Sequence, residues 1–151
     1  MRRRTLLALL MLAAVLLGAV REFLFLNLNY QLDAVANQRT VSYAHSLFRQ
    51  WTAGLDLAAL LRLKWALALL FTAVMLGLSV ACARIVFGDH RYRRVVVLGF
   101  ALVGAVALLL NALSAALPAL YGVSVKLLHL LQYPVVLFVL WAASLLPRSA
   151  R

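Results

Sequence analysis

The sequence predicts an all-α membrane protein: four transmembrane helices forming a single membrane domain, with an amphipathic helix in the first outer loop. Three observations lead there. Of the 151 residues, 66% are hydrophobic and the mean hydropathy is +0.99, whereas a soluble domain is closer to half apolar. The apolar residues come in long unbroken runs, which a domain this small could not hide in one core. The net charge is +11, from 15 Lys and Arg against 4 Asp and Glu, and the basic residues cluster beside the apolar runs. In a soluble chain that balance would suggest nucleic acid. Here it indicates membrane topology and anionic headgroups, so lipid rather than nucleic acid is the expected partner.

A span needs about 20 mainly apolar residues to cross roughly 30 Å of hydrocarbon. Four segments qualify, approximately residues 5–26, 65–87, 95–117 and 123–146. The first has the basic start and apolar middle of a signal peptide. Its apolar part is long, however, and Leu17-Gly18-Ala19-Val20 makes a poor cleavage site, so an uncleaved anchor is expected. Lys and Arg in short loops set orientation. With four crossings, Arg2, Arg3, Arg4, Arg84, Arg91, Arg93, Arg94, Arg148 and Arg151 share one side. Arg21, Arg39, Arg49, Arg62, Lys64 and Lys126 share the other, most of them in or beside one long loop, where they count for less. Both termini and the loop "FGDHRYRR" are therefore expected in the cytoplasm of a bacterium. The loop over residues 27–62 and the turn "PALYGV" are expected outside its inner membrane.

Within the outer loop, Val41, Ala44, Leu47, Phe48 and Trp51 recur at the spacing of one helix face. This predicts an amphipathic helix on the outer surface, with Trp51 at headgroup level. A helix that merely packs on the span ends would give the same pattern. After Gly54, "LDLAALLRLKW" is apolar again and should continue helically into the second span.

Lipid is as apolar as leucine, so small residues mark the faces where membrane helices meet. Such stripes are Ala14 and Gly18; Ala73, Gly77 and Ala81; and Gly104, Ala107, Asn111, Ser114 and Ala115. Continuing the first stripe by four residues reaches Glu22, which predicts that Glu22 points into the bundle. Lys126, His129 and Tyr133 share a face at the start of the fourth span, with Gln132 beside it. Orientation puts all of these in the outward half. The expectation is one outward-facing polar cluster of Arg21, Glu22, Asn111, Ser114, Lys126, His129, Gln132 and Tyr133, roofed by the amphipathic helix. A Glu22–Lys126 or Glu22–Arg21 pair would lower the cost of burial there. The alternative is structural: interfacial Arg and Lys snorkelling to water, Asn111 bridging helices, His129 and Gln132 satisfying neighbours.

Recognisable chemistry is sparse. One cysteine, Cys82, can form neither an internal disulfide nor a dithiol pair, and three histidines without well-placed carboxylates make a poor metal site. No phosphate-binding loop is present. Neither a cofactor nor a metal is expected, and proton transfer through His129 and Tyr133 is the one catalytic route left open.

The basic start "MRRRT", the outer segment "FLFLNLNYQLD" and the later "YAHSLFRQW" before a second span give a layout that resembles the small four-span proteins encoded beside bacterial exosortases, their system-associated partners. The resemblance implies a non-catalytic companion of a membrane transpeptidase that processes sorted surface proteins. Exosortases themselves carry an outward cysteine nucleophile with an Arg and a His. Cys82 is expected near the cytoplasmic side, so the chain does not resemble the enzyme, and no functional residue carries over. The expected role is a non-enzymatic accessory binding a partner membrane protein, or a second copy of itself. The alternative is a small-molecule or lipid-binding protein or enzyme using Glu22, Lys126 and His129.

Overall fold

Six helices account for the structure, a computed structural model that describes residues 2–145: α1 (Arg2–Ala36), α2 (Ser46–Trp51), α3 (Leu57–Phe87), α4 (His90–Leu113), α5 (Ala119–Gln132) and α6 (Val135–Leu145). No strand occurs among the described residues. Three helices are long and apolar enough to cross a membrane, and a fourth span arises if the bent pair α5–α6 is one crossing. The chain is an all-helical membrane protein. The predicted end of the fourth span at residue 146, with Arg148 and Arg151, lies outside the described residues.

Helix boundaries follow local chemistry. Gly88 adopts φ +73°, a left-handed conformation open to glycine, and its amide closes α3 on the Arg84 carbonyl. Asp89 then caps α4, its Oδ1 accepting from the Arg91 amide at 3.0 Å. Asp56 does the same for α3 through the Ala59 amide at 2.7 Å. The third span ends earlier than expected: α4 stops at Leu113, and residues 114–117 turn before Pro118 opens α5.

Two helices overshoot the bilayer. With 35 residues α1 is roughly 52 Å long, and with 31 residues α3 is roughly 46 Å, against about 30 Å of hydrocarbon. The expected continuation of "LDLAALLRLKW" into the second span is found. The expected outer loop over residues 27–62 is corrected: α1 runs ten residues into it and α3 fills its end. Asn27, Asn29, Gln31 and Asp33 lower hydropathy without stopping a helix, because each can turn its side chain outward or onto the preceding turn.

The described residues form two contact units, Leu17–Phe71 and the remainder, to which α1 and α3 both contribute. In the Leu17–Phe71 unit, Phe25 meets Phe71 edge-to-face at 6.3 Å and Lys64 Nζ donates to Asn29 Oδ1 at 2.9 Å. Partners on α3 fall in number as those on α1 rise, so the two segments run antiparallel. Leu28 and Leu60 enclose Ala44 and Phe48 in a small core.

In the other unit α4 and α5 form an antiparallel hairpin. Ser124 Oγ donates to the Ala107 carbonyl at 2.8 Å, and a Cβ on Gly104 would stand 3.8 Å from Leu131. The expected stripe on the third span thus does what small residues do in lipid, letting a backbone carbonyl be reached across the interface. The stripe on the second span does not. Ala73 and Gly77 are exposed, and the face of α3 covered in this unit runs through Met75, Ser79, Cys82 and Val86.

The fourth span is broken rather than continuous. Tyr133 is extended at φ −102°, ψ 158°, and α5 and α6 are bent by 57°. Pro134 causes this: it has no amide for the Leu130 carbonyl, its ring clashes with the preceding turn, and it drives the residue before it out of the helical region.

Candidate functional site

The eight residues expected to form one polar cluster divide between the units, Arg21 and Glu22 in one and the other six in the other. In the Leu17–Phe71 unit the roles of the first two are exchanged relative to expectation. Glu22 is exposed, and Arg21 is buried, 2% accessible. The covered positions on α1 include Gly18, Arg21, Phe25 and Leu28, spaced three, four, three, with Asn27 beside the last of them. That alternation holds a face, whereas repeated steps of four drift by about 40° each. Extrapolating from Ala14 and Gly18 by fours therefore lands on Glu22, one position off the seam. The guanidinium of Arg21 lies 4.6 Å from the Phe25 ring centroid and 3.2 Å from Glu22 Oε2. An aromatic face and a neighbouring carboxylate are what a guanidinium needs in a dry setting. The anticipated Glu22–Arg21 pair is thus present, with the cation as its buried member.

In the other unit, the α4–α5 hairpin sets depth. Ala107 is level with Ser124 and Gly104 with Leu131. Asn111 and Ser114 lie toward the connecting turn, where Ser114 Oγ donates back to the Asn111 carbonyl at 2.6 Å. Tyr133 lies in the opposite direction, on the order of 14–20 Å of helix from Asn111. His129 and Tyr133 stack edge-to-face at 6.3 Å, and Gln132 beside them is buried. Lys126 is exposed on the intervening turn. These six residues make two groups, one at the turn and one at the Pro134 break. A helical wheel records direction but not depth, and that is why one cluster was expected. Among the described residues no three His, Cys, Asp or Glu side chains converge on a metal position.

The segment expected on the outer side also differs from expectation. Only Ser46–Trp51 is helical, six residues, so Val41 and Ala44 precede it. Ala44 and Phe48 point into the core, while Val41, Leu47 and Trp51 are exposed, 62%, 51% and 68%. The periodicity was split because the segment is pinned from outside its own sequence. Asn27 on α1 donates through Nδ2 to the Phe23 carbonyl at 2.7 Å, and its Oδ1 accepts the His45 amide at 2.6 Å. His45 Nδ1 then accepts from the Leu47 amide at 3.3 Å, starting α2, and its ring meets Phe23 edge-to-face at 5.8 Å. No spacing rule links positions 27 and 45. The one available signal was an asparagine placed among large apolar residues at the end of a span.

The buried, 5%-accessible Asn27 therefore fastens the segment around His45 to α1. Asn27→Leu removes the side chain that accepts the His45 amide, and an unsatisfied buried donor costs about 1–3 kcal/mol. Hydrogen exchange at the His45 and Leu47 amides should accelerate by roughly ten- to a hundredfold, with α4 and α5 amides unchanged. Unaltered exchange at His45 would show that the bond holds nothing.

What the arrangement offers is a displayed surface. Tyr43, 76% exposed, rests edge-to-face against Tyr30, and Val41, Leu47 and Trp51 of the same segment are exposed as well. Fixed aromatic side chains of this kind bind with little loss of entropy. Comparison with protein-family models, with curated proteins and with solved structures finds no match to the chain.

Proposed function

We propose that the protein is a non-enzymatic accessory of a bacterial surface-protein sorting system of the exosortase type, acting by binding a partner membrane protein through its outer segment. In this reading it resides in the inner membrane with four crossings, α5 and α6 forming one of them. Both termini are cytoplasmic and Tyr43 and Trp51 are outside. One observation carries the reading: the outer segment is anchored by Asn27 and Phe48 yet holds four large apolar side chains, Val41, Tyr43, Leu47 and Trp51, away from the chain's own core. An anchored, uncovered aromatic surface supports recognition of another protein better than it supports chemistry.

Photocrosslinking tests this. A photoreactive residue at Tyr43 or Trp51, in cells that carry the cognate transpeptidase, should yield an adduct with that enzyme. The same residue at Leu102, exposed on α4, should not. Phe48→Ala should reduce the Tyr43 adduct severalfold. Adducts formed equally from all three positions, or only with a second copy of this chain, would contradict the proposal.

The second reading, a small-molecule site, is favoured by the break at Pro134. There α5 stops and α6 starts beside His129, Gln132 and Tyr133, and interrupted membrane helices commonly line binding sites. In that case His129→Ala would abolish function, whereas the accessory role tolerates it.

A further inference from the structure

Partner binding through Tyr43 and Trp51 leaves a second feature unused. The unit containing α4, α5 and α6 has an open cavity of about 900 Å³, in the range of ligand pockets. It is bounded by helix ends: the start of α1, the last residues of α3, Tyr92 on the first turn of α4, and the last turns of α6. Two helices present it with the same gradient. On α1, Arg4, Leu7, Ala8 and Met11 share one face, from a cation at the helix end to a thioether about 10 Å deeper. On α6, Ser144, Trp141 and Phe138 run from a hydroxyl at the end to a phenyl ring at depth.

The charge at the mouth is uncompensated by the lining. Arg3 and Arg4 both line the cavity and no Asp or Glu does. Arg3 donates to the Val86 carbonyl, which orients the guanidinium without neutralising it. The acid of this unit, Asp89, lies instead in a separate small recess with Arg84 and Arg93. Phe87 stacks on Tyr92 at 4.3 Å and 20°, making a flat apolar wall beside the arginines.

We propose that this cavity binds one anionic phospholipid. Its phosphodiester rests on Arg3 and Arg4, and one acyl chain runs inward along Leu7, Met11 and Phe138. Guanidinium groups match the geometry of phosphate oxygens and carry the charge the lining lacks. A basic mouth between span ends is where headgroups lie, and Trp141, about one turn from the end of α6, is of the residue type enriched at that level. A free phosphate would leave the apolar depth unfilled, and a second copy of this cationic chain would bring like charge.

The test uses Trp141 as reporter. Trp51→Phe and Trp65→Phe leave it the sole tryptophan. The full chain is placed in phosphatidylcholine vesicles containing the same low fraction of either brominated phosphatidylglycerol or brominated phosphatidylcholine. Trp141 quenching should report roughly tenfold preference for phosphatidylglycerol, the gain from about one charge-assisted contact. R3Q with R4Q should abolish the preference, and R3K with R4K should retain most of it. R91Q with R94Q, which removes the same charge from α4, should leave it intact. Equal quenching by the two lipids in the parent protein overturns the proposal. So does a preference that survives R3Q with R4Q, or one lost equally in R91Q with R94Q, which is bulk surface charge.

Discussion

Phe48→Ala is expected to cost about 3–5 kcal/mol in the Leu17–Phe71 unit, the usual range for truncating a buried phenylalanine. Phe48 is 3% accessible and is the largest side chain in a core otherwise made by Leu28, Ala44 and Leu60. Its helix is six residues long, too short to persist by propensity alone. With the ring gone, α2 loses its one large buried anchor. The Thr52 hydroxyl, which donates to the Phe48 carbonyl at 2.8 Å, closes a turn that no longer docks. Limited proteolysis should then cut between residues 37 and 56 while the α4–α5 hairpin stays protected. Phe48→Leu, which keeps most of the buried volume, should lie well below the alanine value. Equal resistance of the alanine variant and the parent would mean that the segment is held by Asn27 alone.

Pro134→Ala should restore a continuous helix. The bend of 57° depends on an amide that proline lacks and on a steric clash that alanine does not have. Spin labels at positions 121 and 145, both exposed, would be about 36 Å apart on a straight helix and about 32 Å apart on the bent pair. Electron paramagnetic resonance should therefore show a lengthening of about 4 Å on substitution. Tyr133 should leave its extended conformation as the Pro134 ring no longer excludes the helical one. A distance unchanged by the substitution would assign the bend to packing of Leu131, Gln132 and Leu137, all buried, rather than to proline.

The apolar elements were legible in the sequence because the bilayer imposes a length and a polarity on anything that crosses it. What lay beyond that constraint was less so. Hydropathy locates where hydrocarbon ends and not where a helix ends, so the ten residues of α1 from Asn27 to Ala36 were mistaken for loop. Glu22–Arg21 was one of the two pairings left open for Glu22, and it is the one present, but the burial of the two residues was inverted by a one-position error in helical phase. An unbroken fourth span over residues 123–146 was expected although Tyr133-Pro134 carries the contrary signal, since a proline inside an apolar run disrupts the helix ahead of it. The Asn27–His45 bond was not readable. It depends on α1 continuing past the span and on the chain returning eighteen residues later, and both are tertiary outcomes. The cavity at Arg3 and Arg4 was likewise hidden, because its walls come from α1 and α6, far apart in the chain, together with the α3 end and the α4 start.

The central claim of the proposed topology is that the segment carrying Tyr43 and Trp51 and the α3–α4 loop lie on opposite sides of one membrane. With Cys82→Ala removing the single native thiol, a cysteine is introduced at Gln50 or at Arg93, both exposed. A membrane-impermeant maleimide is then applied to intact cells and to permeabilised ones. Position 50 should label in intact cells, and position 93 only after permeabilisation. Labelling of position 93 in intact cells, or of position 50 only after permeabilisation, would contradict the topology and remove the outer segment as a binding surface.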